Sequence, residues 1–258
     1  MWMKYLDELI KLRCFTFDDV LKLTKNSATA SSMLQYYTKQ NRIIKIRKGL
    51  YTLVNPIDKE PIASKFLIGS RLTESAVISH HSAFEYYGFA NQVSYNVIVS
   101  SNSKFNQFIF NWDTFVRVPN NINVGVDKLS NGVKITDLER TILDSINDFE
   151  KIMGFEELIQ CITLIPSFDE NKLLKYLKLY NKCFLYQKVG FIFEHFKDDF
   201  KLSENFFDEC LKNCGKSSRY LLSNSIGVEY DFNNKWHITY PYNINKILKG
   251  DKEINDLW

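Results

Sequence analysis

Long apolar runs are missing from this chain. None reaches the ~18 residues that a membrane-spanning helix needs, so a helical membrane protein is not expected. The opening MWMKYLDELIKL mixes acidic, basic and apolar residues. It reads as a first amphipathic helix, not as a secretory signal. Cysteine is sparse. Cys14, Cys161, Cys183, Cys210 and Cys214 are an odd number in a sizeable chain and read as reduced thiols of a cytoplasmic protein. Histidine numbers only four. HExxH and CxxC are absent, and the neighbours His80 and His81 point apart on a strand or a helix, so no metal site is expected. Gly215-Lys216-Ser217 ends like a phosphate-binding loop, but Cys210 stands where its first glycine belongs. No Ser/His/Asp spacing, glycine-rich nucleotide loop, internal repeat or low-complexity tract is present. Nothing here calls for an enzyme or for a cofactor.

What the chain does have is an uneven charge. Its net charge is only +3. Residues 1–56 carry ten Lys or Arg against four Asp or Glu, while the remainder carries 23 against 26. Such a contrast is expected where one part of a chain meets a polyanion and the other does not.

The basic part has a readable pattern from Thr16 to Leu53. Thr16 can cap a helix whose first turn holds Asp18 and Asp19. Lys25-Asn26-Ser27 breaks it, with Ser27 as the expected cap of the next helix. Ala30, Met33, Leu34 and Tyr37 then fall on one helical face. The other face carries Ser32, Gln35, Tyr36 and Lys39, flanked by Thr29, all able to bond to base edges or phosphates. Gln35 is the base-reading candidate, because an amide pairs bidentately with adenine. Ile44 and Ile46 alternate with Lys45 and Arg47, Lys48-Gly49 makes a turn, and Leu50 to Val54 returns. Arg42, Lys45, Arg47 and Lys48 should line a cationic ridge, with Lys25 as a further backbone contact. Helix, turn, helix and basic hairpin in this order are the outline of a winged helix-turn-helix, which docks on duplex DNA.

Asn55-Pro56 and Lys59-Glu60-Pro61 read as a linker. The expected fold is α+β: a winged helix-turn-helix over residues 1–56, then a larger mixed α/β domain over 57–258. In that second domain a small, mainly antiparallel sheet runs to about residue 135 and helices dominate after it. Ile62 to Leu72 reads as a helix, as does His81 to Tyr87, stopped by Gly88. Phe108 to Phe110 and Thr114 to Val118 read as a hairpin. Thr136 and Glu139 read as a capping box for LERTILDSI, with Arg140 and Asp144 paired at i,i+4. An acid–base cluster of Glu139, Arg140 and Asp144 is the competing view; capping and an ion pair need fewer assumptions.

Three stretches together suggest a family. RIIKIRKGLYTL, then ISHHSAFEYYGF at Ile78 to Phe89, then VKITDLERTILDSI at Val133 to Ile146, resemble the AbiEi antitoxins in the same order; KWHITYP near the end is also similar. The resemblance implies a cytoplasmic regulator of a type IV toxin–antitoxin, abortive-infection system. It implies a winged helix-turn-helix that represses its own operon at promoter repeats, and a C-terminal domain tied to antitoxin action. The partner it implies is a nucleotidyltransferase-like toxin, counteracted without need of a stable complex. Ser79, Ser82, Ala83, Gly88, Glu139, Arg140 and Asp144 fall on family-typical positions and read as scaffold. Two other readings stay open: a winged-helix regulator whose C-terminal domain senses a ligand or partner, and a DNA-targeted enzyme such as a nuclease.

Overall fold

The computed structural model describes residues 3–222 and 227–249. Met1 and Trp2 of the expected first helix lie outside them. The fold is α+β, in two compact units: Met1–Ser82 with Ser94–Asn120 and Val126–Thr136, and Ala83–Val93 with Asn121–Gly125 and Asp137–Trp258. The division does not fall at Asn55-Pro56. Residues 1–56 share their unit with the central strands.

In the first unit the order begins α1 (Met3–Leu12), β1 (Cys14–Thr16), α2 (Phe17–Thr24), α3 (Ser27–Lys39), β2 (Ile43–Arg47) and β3 (Leu50–Leu53). The strands form an antiparallel sheet ordered β1-β3-β2. Thr16 caps α2 in a full capping box with Asp19, which fixes how the chain leaves β1. The cap of α3 is Asn26, whose side chain accepts from the Thr29 amide at 2.9 Å. Ser27, expected as the cap, is instead the first helical residue. Leu9, Phe15, Val20, Ala30, Met33, Leu34, Tyr37, Ile43 and Leu53 form one buried cluster, so the apolar stripe of α3 faces inward. The expected linker is an ordered turn. Asn55 takes the Glu60 carbonyl and Ile62 the Leu53 carbonyl.

The chain continues through α4 (Lys65–Ser70), β4 (Val77–Ile78), α5 (His80–Tyr87), β5 (Asn96–Ser100), β6 (Phe108–Phe110), β7 (Asp113–Val118), β8 (Val126–Lys128) and β9 (Lys134–Thr136). The helix expected over Ile62 to Leu72 is thus shorter, starting at the Ser64 cap. Six strands align as β6-β7-β5-β4-β9-β8. Three of its five pairings are antiparallel, β6 with β7, β4 with β5 and β8 with β9, while β5 with β7 and β4 with β9 run parallel. A Cβ on Gly69 would lie 2.6 Å from Ile78 Cδ1, so α4 lies on the sheet as closely as glycine permits. Two contacts tie residues 1–56 to this region. Arg71 donates to Asp19 at 3.0 Å and to the Cys14 carbonyl at 3.3 Å, and Arg47 covers Phe105 and Phe108 at 5.7 and 5.4 Å.

The second unit is mainly helical: α6 (Leu138–Asn147), a 3₁₀ turn (Phe149–Ile152), α7 (Phe155–Thr163), α8 (Glu170–Tyr180), α9 (Cys183–Glu194) and α10 (Glu204–Asn213). Three short strands, β10 (Arg219–Tyr220), β11 (Tyr230–Asn233) and β12 (Ile238–Pro241), and then α11 (Ile244–Lys249), follow. Its large core includes Ile142, Leu143, Leu158, Leu177, Phe193, Phe206 and Trp236. Trp236 lies flat enough on α9 that any Cβ at Gly190 would overlap its ring.

Candidate nucleic-acid interface

The burial of Ala30, Met33, Leu34 and Tyr37 turns the rest of α3 outward. Ser32, Gln35, Tyr36 and Lys39 are exposed and Thr29 is partly so. Tyr36 keeps 45% of its surface in solvent while its ring meets Tyr37 at 5.6 Å. Lys45 is exposed on β2, facing Tyr51 across the ladder. Together Gln35, Lys39 and Lys45 line an open groove of about 470 Å³ with Phe17, Leu34 and Tyr51. Its lining thus combines amide, hydroxyl and ammonium groups with apolar ones.

The hairpin does not present its four cations alike. A bulge between Lys45 and Arg47 interrupts the β2–β3 register. The buried residues are therefore Ile43 and Ile46, three apart, where strict alternation would space them by two. Arg42, Lys45 and Lys48 are exposed. Arg47 is half-buried over the Phe105 and Phe108 rings, a packing role that takes it out of the expected ridge. Gly49 holds a φ of 80° in the turn, and its carbonyl accepts the Phe17 amide at 2.9 Å. The hairpin tip is thereby fixed to the start of α2. Burial raises the Tyr37 hydroxyl pKa, and the Arg42 guanidinium acts against it, which puts that cation beside the end of α3. Lys25 is exposed at the left-handed end of α2. No Asp or Glu occurs anywhere from Val20 to Ile57.

The family-typical positions lie elsewhere, and all but the exposed Gly88 are buried. Ser82 accepts the Ile98 amide at 2.8 Å, Ser79 meets His80 Nδ1 at 2.9 Å, Ala83 is buried, and Gly88 ends α5 with φ 79°. In the second unit Arg140 is fully buried. It donates to Asp144 at 3.3 Å and to the Val124 carbonyl at 2.6 Å. Asp144 also accepts from the Tyr180 hydroxyl at 2.6 Å. The α6 cap is Asp137, not Thr136, and accepts the Arg140 amide at 3.0 Å. Thr136 ends β9 and donates to the Ile78 carbonyl. Glu139, freed from capping α6, accepts the Asp169 amide at 2.9 Å. Lys172 bridges Glu139 at 2.8 Å and Asp137 at 3.2 Å. Burial works to lower that ammonium, but both carboxylates outweigh it and hold it above the usual lysine range. Burial, and then the hydrogen bond to Asp137, push the Tyr176 hydroxyl up to about 12. Each of the three carboxylates is met by a cation or a hydroxyl, which is the pattern of a hydrogen-bonded polar core.

Burial also raises the Cys14 and Cys210 thiols to about 12. Among the described residues no cluster of three or more His, Cys, Asp or Glu could hold a metal ion, and no helix is long and apolar enough to cross a membrane.

No family model matches this chain. No curated protein matches either. Among solved structures, the crystal structure of the RV2827C protein from Mycobacterium tuberculosis is similar, with a TM-score of 0.60 over 88% of this chain and 86% of that one at 12% identity. At that identity the likeness concerns the fold alone. Sequence reasoning missed the packing role of Arg47, for the alternation Ile-Lys-Ile-Arg carries no mark of a bulge. It also missed Lys172, a solvent-face residue by helical pattern.

Proposed function

We propose that residues 1–56 form a winged helix-turn-helix that binds duplex DNA, and that the protein is a DNA-binding autorepressor and antitoxin. The observation that carries the DNA reading is the outward face of α3. Ser32, Gln35, Tyr36 and Lys39 are exposed in a stretch free of carboxylates, and Gln35 and Lys39 share a groove with Lys45. Phosphate meets cations and hydroxyls there with no like charge to repel it. Gln35 reads a base in the major groove, and Arg42, Lys45 and Lys48 hold the backbone. The strand order β1-β3-β2 around α2 and α3 suits a wing beside a recognition helix. The antitoxin half rests on the resemblance to AbiEi antitoxins, with a nucleotidyltransferase-like toxin as the protein counteracted.

The test is fluorescence anisotropy on DNA from the protein's own upstream region across a salt series. Replacing Arg42, Lys45 and Lys48 together by Ala removes about three phosphate contacts. The slope of log K against log salt should flatten by roughly 3 units, at about 0.9 per phosphate. An unchanged slope would sink the wing assignment. Expressing the adjacent toxin gene from an unrelated promoter tests the antitoxin half, since growth should be rescued by this protein without repression.

A further inference from the structure

Three cations of the first unit that the DNA reading does not use come together at one place. Lys11 and Arg13 at the end of α1 and Arg71 after α4 line a hollow of about 270 Å³, closed by the turn Ser130-Asn131-Gly132 between β8 and β9. No carboxylate is among its lining residues. Part of this has a plain structural explanation. A helix C-terminus favours a cation, Lys11 pairs with Glu8 at 3.0 Å, and Arg71 pairs with Asp19 at 3.0 Å. Those pairs do not account for the whole group. Arg13 is exposed and sits at a φ of 58°. Its carbonyl accepts from the Leu53 amide and the Thr52 hydroxyl, both at 3.1 Å, so the backbone holds it at the rim. Arg71 keeps a buried Nε with no acceptor. Behind it, burial lowers the Lys134 ammonium first, and repulsion from Arg71 and Lys128 lowers it further, against the pull of Glu74. Positive charge here exceeds what the protein's own anions offset.

We propose that this hollow is a phosphate-binding pocket, in which Lys11, Arg13 and Arg71 supply charged donors and Ser130 a neutral one. Guanidinium forks suit the paired oxygens of a phosphate. The volume is just under the ~300–1,000 Å³ of sites for drug-sized ligands, so it suits a phosphate or diphosphate group without a whole nucleotide. The group could come from a small free polyphosphate or from the backbone of duplex DNA; only the second source rests on the DNA-binding reading.

The probe is inorganic pyrophosphate with the full-length protein, read as thermal unfolding at constant ionic strength. Ligand binding to the folded state raises Tm by mass action. The comparison is a Lys11→Gln/Arg13→Gln double variant, each protein's own unliganded Tm serving as its reference. For a free-anion site, pyrophosphate raises Tm in the parent protein and not in the variant. For a DNA-backbone site, pyrophosphate has no effect, and the double variant flattens the salt dependence of DNA binding by roughly 1.8 units, at about 0.9 for each of two contacts. An equal Tm rise in both proteins overturns the pocket. So does the absence of any Tm rise together with an unchanged slope. If DNA binding is not detected at all, that reading fails separately and the pyrophosphate result alone decides the pocket.

Discussion

Gln35 and Lys39 are one helical turn apart on the same exposed face, yet their substitutions should behave differently. Gln35→Ala should cost about 1–3 kcal/mol on the correct site and little on random DNA, because an amide–adenine pair is lost only where adenine is present. Lys39→Ala should weaken both alike. Equal losses for Gln35→Ala, in competition assays against random duplex, would make it a backbone contact. Arg140 is a different kind of residue. Removing it strands Asp144 without its buried partner, and Arg140→Ala should cost about 3–5 kcal/mol of stability in urea titration. Any loss of antitoxin action should follow that loss of stability. Loss of action in a fully stable variant would mean instead that Arg140 touches a partner. Lys188 donates to the Ile146 and Asn147 carbonyls at 3.1 and 3.3 Å under the Phe149 ring. Burial lowers its pKa from 10.5 to about 8, with Asp148 opposing that shift and Lys182 adding to it. Between those values the unfolded chain holds a proton that the folded chain has released, so this group's contribution to stability rises from pH 8 to 10.5. Lys188→Met should remove that rise. Urea midpoints at pH 7.5 and 9.5 would reveal it, and identical pH slopes in both proteins would contradict it.

At the scale of elements, α9 and β12 are held by the seating of Trp236. Its indole N–H donates to Glu194 at 2.7 Å, and its ring occupies the space that a side chain at residue 190 would need. Gly190→Ala should therefore cost about 3 kcal/mol by overpacking; a thermal midpoint within a degree or two of the parent's would show that the ring can move aside. Elements of this kind differ in how far they can be read from sequence. The inward face of α3 follows from the spacing of Ala30, Met33, Leu34 and Tyr37, because helical periodicity is local. The α6 cap does not. Thr136 and Asp137 are both good capping residues, and the choice is made by β9, which draws Thr136 to Ile78 across 58 positions. The side chain left over is the cap. Arg47 fails to read for a similar reason: its partners, Phe105 and Phe108, are set by tertiary contact. The candidate DNA face was legible because exposed cations and hydroxyls on a helix need no distant partner. The pocket at Arg13 and Arg71 was not, since it forms only when residues 11, 71 and 130 meet.

For the whole molecule, the division into units changes what truncation should do. A fragment starting at Asp58 would keep Phe105 and Phe108 but lose the Arg47 side chain above them, and Arg71 would lose Asp19. It should melt below the full-length protein and bind an apolar dye, whereas a self-contained domain boundary at residue 56 predicts two independent transitions. Calorimetry of the intact chain and the fragment separates these outcomes. The contrast in charge between residues 1–56 and 57–258 thus does not coincide with the division into compact units.

The β4–β9 pairing also has a consequence in time. Strand β9 reaches the ribosome exit only after about 80 further residues have followed the hairpin. At ~5–20 residues per second that is a wait of roughly 4–16 s. For the earlier part of that interval, until Phe105 and Phe108 have also emerged, Arg47 on the hairpin lacks the rings it covers in the folded chain, and the first unit cannot close until β9 follows.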